Sequence, residues 1–318
     1  MSPLLSVLLS LILSDSPKSS SRPPHRREAR RRFAPRRLHV EALEDRTVPT
    51  AVALPSNAVS WWTANNTAAD AMGLNNASLT GVSYATGEVG QAFSFDGADD
   101  SANVADSSSL AFTQSFTIEG WIKVNGLPTN YNFGSIMFRG DDRGGLDPYS
   151  LGVEPNGNLS FQITAAVHAP TSIQTPLAIG QWTHVAATLD DATGLMSLYV
   201  NGALAAQSTT DVRPFANLDP TQNPAVGIGN SNDPTSYNVP FNGLIDELSV
   251  YNRALTPGEV LGIDKAANSG KVLSSIAVSN PSVIEGPAGT TQSETFTLTR
   301  TGSTAGFRSV IRGRPVHC

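Results

Sequence analysis

The acidic residues near the end of the long alternating run Leu244 to Tyr251 are the first groups in this sequence able to do chemistry. A retaining glycoside hydrolysis needs two carboxyl groups about 5 Å apart. Asp246 and Glu247 are adjacent, so regular pleating would send them to opposite faces of a sheet. Glu119 has Trp121 two residues on, which suits stacking on a sugar, but no second carboxylate at that spacing. None of the five His stands near a Gly-x-Ser-x-Gly elbow, the turn that presents the serine of one large class of Ser-His-Asp hydrolases. The chain is therefore expected to be non-catalytic. Asp246 points to different chemistry. By plain alternation it shares a face with Leu244, Leu248 and Val250, where a carboxylate must be paired, protonated or metal-bound.

Two loops are rich in oxygen ligands. Arg139-Gly140-Asp141-Asp142-Arg143 contains an Arg-Gly-Asp tripeptide, and Asn230-Ser231-Asn232-Asp233 gathers amides, a hydroxyl and a carboxylate. Together with Trp121 they supply the candidate ligand-binding residues Trp121, Asp141, Asn230, Asn232 and Asp233. The competing expectation is that the loops are solvated turns and that Trp121 packs in a core. Trp61 and Trp62 are adjacent, so at least one of them is expected inside.

These residues must be carried by strands. From about Ala51 to Asn268 the text consists of short alternating runs broken by turn signals, with strands expected at 59–63, 81–84, 91–95, 101–104, 115–124, 133–139, 149–154, 158–163, 182–189, 195–200, 203–207, 225–229 and 244–251. That spacing belongs to an all-β sandwich or barrel. Asn156-Gly157 and Asn201-Gly202 are hairpin turn signals. In 115–124, Phe116, Ile118, Gly120, Ile122 and Val124 share one face. One helix is expected at Thr256 to Ile263, with Thr256 as N-cap and Pro257 in the first position.

Four segments taken in order resemble the laminin-G-like, concanavalin A-like lectin/glucanase domains of bacterial surface proteins. They are Ala92–Asp100 (AFSFDGADD), Ser115–Ile122 (SFTIEGWI), Gly180–Ala186 (GQWTHVA) with Leu198–Gly202 (LYVNG), and Phe241–Leu255 (FNGLIDELSVYNRAL). The resemblance implies a jelly roll of two antiparallel sheets over residues 51–268, binding extracellular carbohydrate or protein or serving as a spacer in an adhesin. Related glucanases carry two catalytic carboxylates spaced as Glu-x-Asp-x-Glu on one strand, and that triplet is missing here. They also carry a calcium-binding Asp on the equivalent strand. The resemblance thus implies calcium at Asp246, with Asp96 of the Phe-Asp-Gly turn as a second ligand. The alternative is that Asp96 and Asp246 cap backbone amides.

The 318 residues are 40% hydrophobic and 15% charged, and the single cysteine, Cys318, precludes an internal disulfide. No apolar run reaches the roughly 18 residues of a membrane-spanning helix. Residues 1–46 hold 10 Lys and Arg against 5 Asp and Glu, while the remainder holds 11 against 22. A basic arm such as Arg22–Arg37 is expected to be disordered. The acidic body would oppose nucleic acid, and the arm offers only Phe33 for stacking. After the arm, Leu43-Glu44-Asp45-Arg46-Thr47-Val48-Pro49 resembles the Leu-Glu-x-Arg motif that opens exported bacterial surface proteins, which implies a cell-surface or extracellular location for the chain and assigns 1–50 to an export-related segment. Residues 269–318 resemble the start of a Calx-beta domain, through Ile276–Gly286 and Glu294–Arg300, with Glu285 at a calcium-ligand position of that family. Fewer than 50 residues follow where a domain needs roughly 90–100, so this segment is expected to be incomplete.

Overall fold

The computed structural model describes residues 50–129, 133–141, 143, 147–166, 170–231, 237–273, 275–278 and 298–301. The basic arm, the Leu43–Pro49 motif, Asn232, Asp233 and Glu285 lie outside them. In chain order the strands are β1 (Val52–Ala53), β2 (Ala58–Trp62), β3 (Ala77–Thr80), β4 (Ser83–Thr86), β5 (Gln91–Asp96), β6 (Ser101–Ala105), β7 (Phe116–Gly126), β8 (Gly134–Gly140), β9 (Tyr149–Val153) and β10 (Asn158–Thr164). There follow β11 (Pro170–Pro176), β12 (Thr183–Asp190), β13 (Leu195–Val200), β14 (Ala203–Thr209), β15 (Ala225–Ile228), β16 (Asn242–Tyr251), the helix α1 (Pro257–Ala266), β17 (Lys271–Val272), β18 (Ser275–Val278) and β19 (Leu298–Thr301).

The strands form an antiparallel sandwich. A seven-stranded sheet runs β11-β10-β9-β8-β15-β6-β3, and an eight-stranded sheet runs β14-β13-β12-β7-β16-β5-β4 with β2 also on β16. Phe116, Ile118, Ile122 and Val124 of β7 point inward and pack in one core with Leu151, Phe161 and Ile163 of the other sheet. Burying two such faces at about 25 cal/mol per Å² needs no cross-link. Asn201 and Gly202 both take left-handed φ, 48° and 72°, the two-residue turn expected between β13 and β14. Strand β11 was not expected, because Pro170 and Pro176 bracket it. It is an edge strand, where proline is tolerated.

One departure from regular pleating reorganises the site chemistry. Glu247 has φ 55°, and the register against β7 slips between Asp246 and Ser249. This bulge reverses the phase of β16. Leu248 and Val250 enter the core, whereas Asp246 lies opposite Trp121 and Ser249 opposite Glu119. Simple alternation therefore fails: Asp246 does not share a face with Leu248 and Val250. Nor do Asp246 and Glu247 part company, since the Glu247 carboxylate reaches the outer-face indole of Trp61, 3.1 Å from its Nε1.

The outer face of the eight-stranded sheet is covered. Leu54, Trp61, Tyr199, Tyr251, Leu255, Val260 and Ile263 form a second buried cluster there. The helix that closes it starts with a reciprocal cap: Glu259 N–H donates to Thr256 Oγ1, and Thr256 N–H to the Glu259 carboxylate at 2.9 Å. Beneath this layer Glu119 is fully buried. Its Oε1 accepts from Lys271 Nζ at 2.8 Å and Tyr251 OH at 3.0 Å, and its Oε2 from His184 Nε2 at 3.1 Å. Lys271 also donates to the Glu247 carbonyl at 2.8 Å. β17, which carries Lys271, runs parallel to β1, so the residues that lead into and out of the sandwich are tied side by side.

Burial alone would raise the Glu119 carboxyl, but Lys271 and His184 overcome it and hold the group at about 2. A carboxyl held below its unfolded value stabilises the fold fully above about pH 4.5 and loses that contribution as the pH falls toward 2. Glu119→Gln should cost about 3 kcal/mol at pH 7, because it removes the nearer counter-charge of buried Lys271 and leaves only the Glu247 carboxylate at 3.9 Å. Its urea midpoint should also fall less steeply than wild type between pH 4.5 and 2. Parallel pH profiles for the two proteins would contradict this account.

Candidate functional site

The seven-stranded sheet leaves its outer face to a different set of side chains. Leu159, Phe161 and Ile163 of β10 point into the core, so Asn158, Ser160, Gln162 and Thr164 hold the alternate positions. The same phase runs through the neighbours. One cross-strand row reads Ser78, Asn103, Gly227, Phe138, Ser150, Gln162, Ser172. A second reads Ser135, Gly152, Ser160, Gln174. Hydroxyls, amides and glycines occupy these rows with one aromatic and no aliphatic side chain.

Aromatic rings lie over the small residues. A Cβ on Gly152 would run into the Phe133 ring and the Gly134 carbonyl, so glycine is what lets that ring approach the strand backbone so closely. Tyr237 sits over Phe138, with ring centroids 6.1 Å apart at 44°. The Tyr237 chain is held by the Ser231 hydroxyl, which donates to its carbonyl, yet Tyr237 remains 53% exposed. Beside it, burial pushes the Asp147 carboxyl up to about 7, with Asp141 adding to the shift. Burial likewise raises the Tyr237 phenol, helped by Asp147 and Glu154. Ser135, Phe138, Ser150, Ser160 and Thr164 are buried, so the neutral donors and acceptors that reach solvent are Ser78, Asn103, Gln162, Ser172 and Gln174, with the Asp147 carboxyl able to serve as either near neutral pH.

The residues expected from the sequence lie elsewhere or do other work. Trp121 is only 7% exposed and packs against His184 at 5.3 Å on the covered face of the other sheet. It offers no stacking surface. Asp141 is bound to Arg143 at 2.5–3.0 Å and accepts the Asp219 N–H at 2.8 Å. Burial opposes ionisation of Asp141, but Arg143 and the two backbone donors hold its carboxyl below the usual range. Arg139 is buried, bound to Asp106 at 2.9 Å and to the Ala216 carbonyl at 2.8 Å. The Arg-Gly-Asp tripeptide is therefore not displayed. Asn230 is fully buried. Its Oδ1 accepts the N–H groups of Ser231 and Val239, and its Nδ2 donates to Asn238, so it shapes the loop that presents Tyr237.

The two metal candidates are not brought together. Asp96 pairs with Asn242 across the strands, four residues along β16 from Asp246, or about 13 Å. Asp96 caps the Ala98 N–H at 2.8 Å, as the turn alternative has it. Its carboxylate clusters instead with Asp99 and Asp100, their ligand atoms within 4.8 Å of one another. Asp246 is fully buried. Its Oδ2 accepts the Val89 N–H at 2.8 Å, while Oδ1 has no partner.

The concanavalin A-like lectin/glucanases superfamily matches residues 96–261. No curated protein matches the chain. Among solved structures, domain 4 of AbnA, a GH43 extracellular arabinanase from Geobacillus stearothermophilus, in complex with arabinotriose, is 25% identical, with a TM-score of 0.50 over 66% of this chain and 98% of that one. The binding domain of botulinum neurotoxin serotype G has a TM-score of 0.51 at 14% identity, covering 65% of this chain and 50% of its own. The binding domain of botulinum neurotoxin DC in complex with SialylT gives 0.51 at 18%, covering 66% and 51%. The chain thus spans about half the length of the neurotoxin domains, which share its fold alone.

The packing of Phe133 over Gly152 is open to a direct check. Gly152→Ala should cost about 1–3 kcal/mol in urea unfolding, since the added methyl meets a backbone carbonyl as well as the ring. A neutral result would mean that the ring does not lie where the structure puts it.

Proposed function

On the premise that the chain belongs to the concanavalin A-like lectin/glucanases superfamily, which the match over residues 96–261 shows, we propose that it is a non-catalytic, exported carbohydrate-binding protein. Its site is the outer face of the seven-stranded sheet, and its ligand is a neutral oligosaccharide. The observation that carries this reading is the uncharged, solvent-reaching set Asn103, Gln162, Ser172 and Gln174 on the same face as Phe133 and the half-exposed Tyr237. Sugars are recognised by such a combination, in which an aromatic ring covers the C–H face while fixed polar groups meet the hydroxyls. The complex of the similar arabinanase domain with arabinotriose supports the ligand class. The non-catalytic assignment is supported by Glu119, whose carboxylate is out of solvent and saturated with donors. No helix among the described residues is long and apolar enough to cross a membrane.

A glycan array probed with the full chain should give hits among neutral oligosaccharides. Titration with arabinotriose or the best hit should then show at least a tenfold loss of affinity in Tyr237→Ala and in Gln162→Ala, with melting temperatures close to wild type. An empty array, or variants that bind like wild type, would overturn the assignment.

The proposal includes a structural calcium ion at Asp246. The residues fit it: a buried carboxylate with one oxygen unpartnered is the donor a hard cation needs. The Gly87–Gln91 turn lies directly against that carboxylate, leaving no room for a Cβ on Gly87. Asn65 grips the other side of the turn through its Oδ1, which accepts the Gln91 N–H at 2.8 Å. Asp246 and carbonyls of this turn would hold the ion, which would neutralise the carboxylate and fasten the turn to β16. Calcium at a hundred times its dissociation constant should add about 2.7 kcal/mol of stability, or roughly 5–10 °C in melting temperature for a domain of this size. The increment should vanish in Asp246→Asn and persist in Asp96→Asn. An equal response in all three proteins would place the ion elsewhere.

A further inference from the structure

A pocket of about 460 Å³ opens at an end of the sandwich, away from the sheet face described above, and shares no residue with it. Its volume falls within the roughly 300–1,000 Å³ of small-molecule sites. The side chains of Ser108, Ser109, Thr113, Gln114, Ser115 and Asn252 line it, facing apolar surface from Val59, Leu74 and Phe112. No ionisable side chain contributes to the lining. A charged ligand would lose its hydration there without gaining a counter-charge. A purely apolar ligand would leave the hydroxyls and amides without partners.

Two features fix the lining before any ligand arrives. Leu74 stands at the pocket 69% exposed, an apolar side chain held out into water. The turn that presents it is over-determined by Asp70, whose carboxylate accepts the N–H groups of Trp61, Met72, Leu74 and Asn75 at 2.8–3.2 Å. The serine side of the lining is tied to the same turn. Asn75 Nδ2 donates to Ser109 Oγ at 3.0 Å and to Ser60 Oγ at 2.7 Å, and Ser107 Oγ donates to Asn75 Oδ1 at 2.8 Å. Phe112 is stacked on Phe116, 5.2 Å between centroids and 3° from parallel, so its ring cannot swing into the space. A wall set in advance spares a ligand the entropy of ordering it.

We infer that this pocket is a second binding site, taking a single neutral sugar residue. A pyranose has one apolar C–H face to lay against Leu74 and Val59, and equatorial hydroxyls to reach the serines, Gln114 and Asn252. The two sites rest on separate residues, so either can fail alone.

Saturation-transfer NMR of the full chain with methyl glucoside, methyl galactoside and methyl mannoside tests the inference, with indole as an apolar control. At least one glycoside should bind with a dissociation constant on the order of 1 mM. Gln114→Trp and Thr113→Trp, both at exposed positions, should weaken it at least tenfold by filling the pocket, and Tyr237→Ala should leave it unchanged. The inference is overturned if no glycoside shows transfer, if both tryptophan variants bind as wild type does, if Tyr237→Ala removes the signal, or if indole binds at the pocket more tightly than every sugar.

Discussion

The ion pair of Glu119 with Lys271 is the constraint around which the eight-stranded sheet is organised. Glu119 comes from the middle of β7, His184 from β12, Tyr251 from β16 and Lys271 from β17, so one carboxylate joins four separate segments. A buried pair of this kind is weak as a source of stability, because desolvation consumes most of the attraction. Its strength lies in specificity. With Lys271 displaced, Glu119 would be a charge under a lid of Trp61, Tyr199 and Val260, a state too costly to populate. β17, which pairs with β1 through its backbone, is therefore held on the eight-stranded sheet by a polar contact that only one arrangement can satisfy. The bulge at Glu247 belongs to the same device, since it turns that residue's carbonyl toward the Lys271 ammonium.

The central strands and the helix were legible because their physics is local. Alternation in β7 and the Thr256-Pro257 start of α1 each depend on a few neighbouring residues, and the structure follows both. Asp246 was misplaced for a physical reason: period-two reasoning holds only while the register holds, and one left-handed residue, Glu247, reverses it. No feature of the sequence Ile-Asp-Glu-Leu signals a bulge, because nothing other than glycine or asparagine advertises positive φ. Lys271 was invisible for another reason. It lies 152 residues from Glu119, and a lone lysine after a helix looks like solvent-facing surface. The polar rows of the seven-stranded sheet were legible but were passed over. In Asn158–Thr164 the apolar phase Leu159, Phe161, Ile163 fixes the core side, and the alternate phase Asn158, Ser160, Gln162, Thr164 forms part of the face proposed to bind.

The two sheets share a core but have opposite outer faces, and that asymmetry assigns their roles. One face is sealed by Trp61, Tyr199, Tyr251 and α1, with Glu119, His184, Tyr251 and Lys271 bound to one another beneath them. The other carries rows of small and polar residues that are buried at Ser135, Ser150 and Ser160 and reach solvent at Ser78, Asn103, Gln162, Ser172 and Gln174. Serine and glycine at Ser150, Gly152 and Ser160 give up side-chain packing that a strand would ordinarily use. That loss is tolerable only where close approach to the backbone has value, as Phe133 over Gly152 demonstrates.

Charge distribution completes the argument. Beyond the first 46 residues the chain carries twice as many acidic as basic groups, yet the rows of the open face carry none. Surface carboxylates can keep such a body apart from its copies and from polyanions. They do little for a neutral ligand, whose recognition depends on the direction of each hydrogen bond. Keeping charge off the face leaves those bonds free of competing long-range attraction. Carboxylates at its border are handled separately: Asp141 is neutralised by Arg143, burial holds Asp147 at about 7, and Glu154 accepts from Gln174 at 3.4 Å. On the proposed assignment, a face with so few full charges would discriminate by shape and hydroxyl geometry, with Phe133 and Tyr237 supplying the shape and Phe138 supporting Tyr237 from beneath.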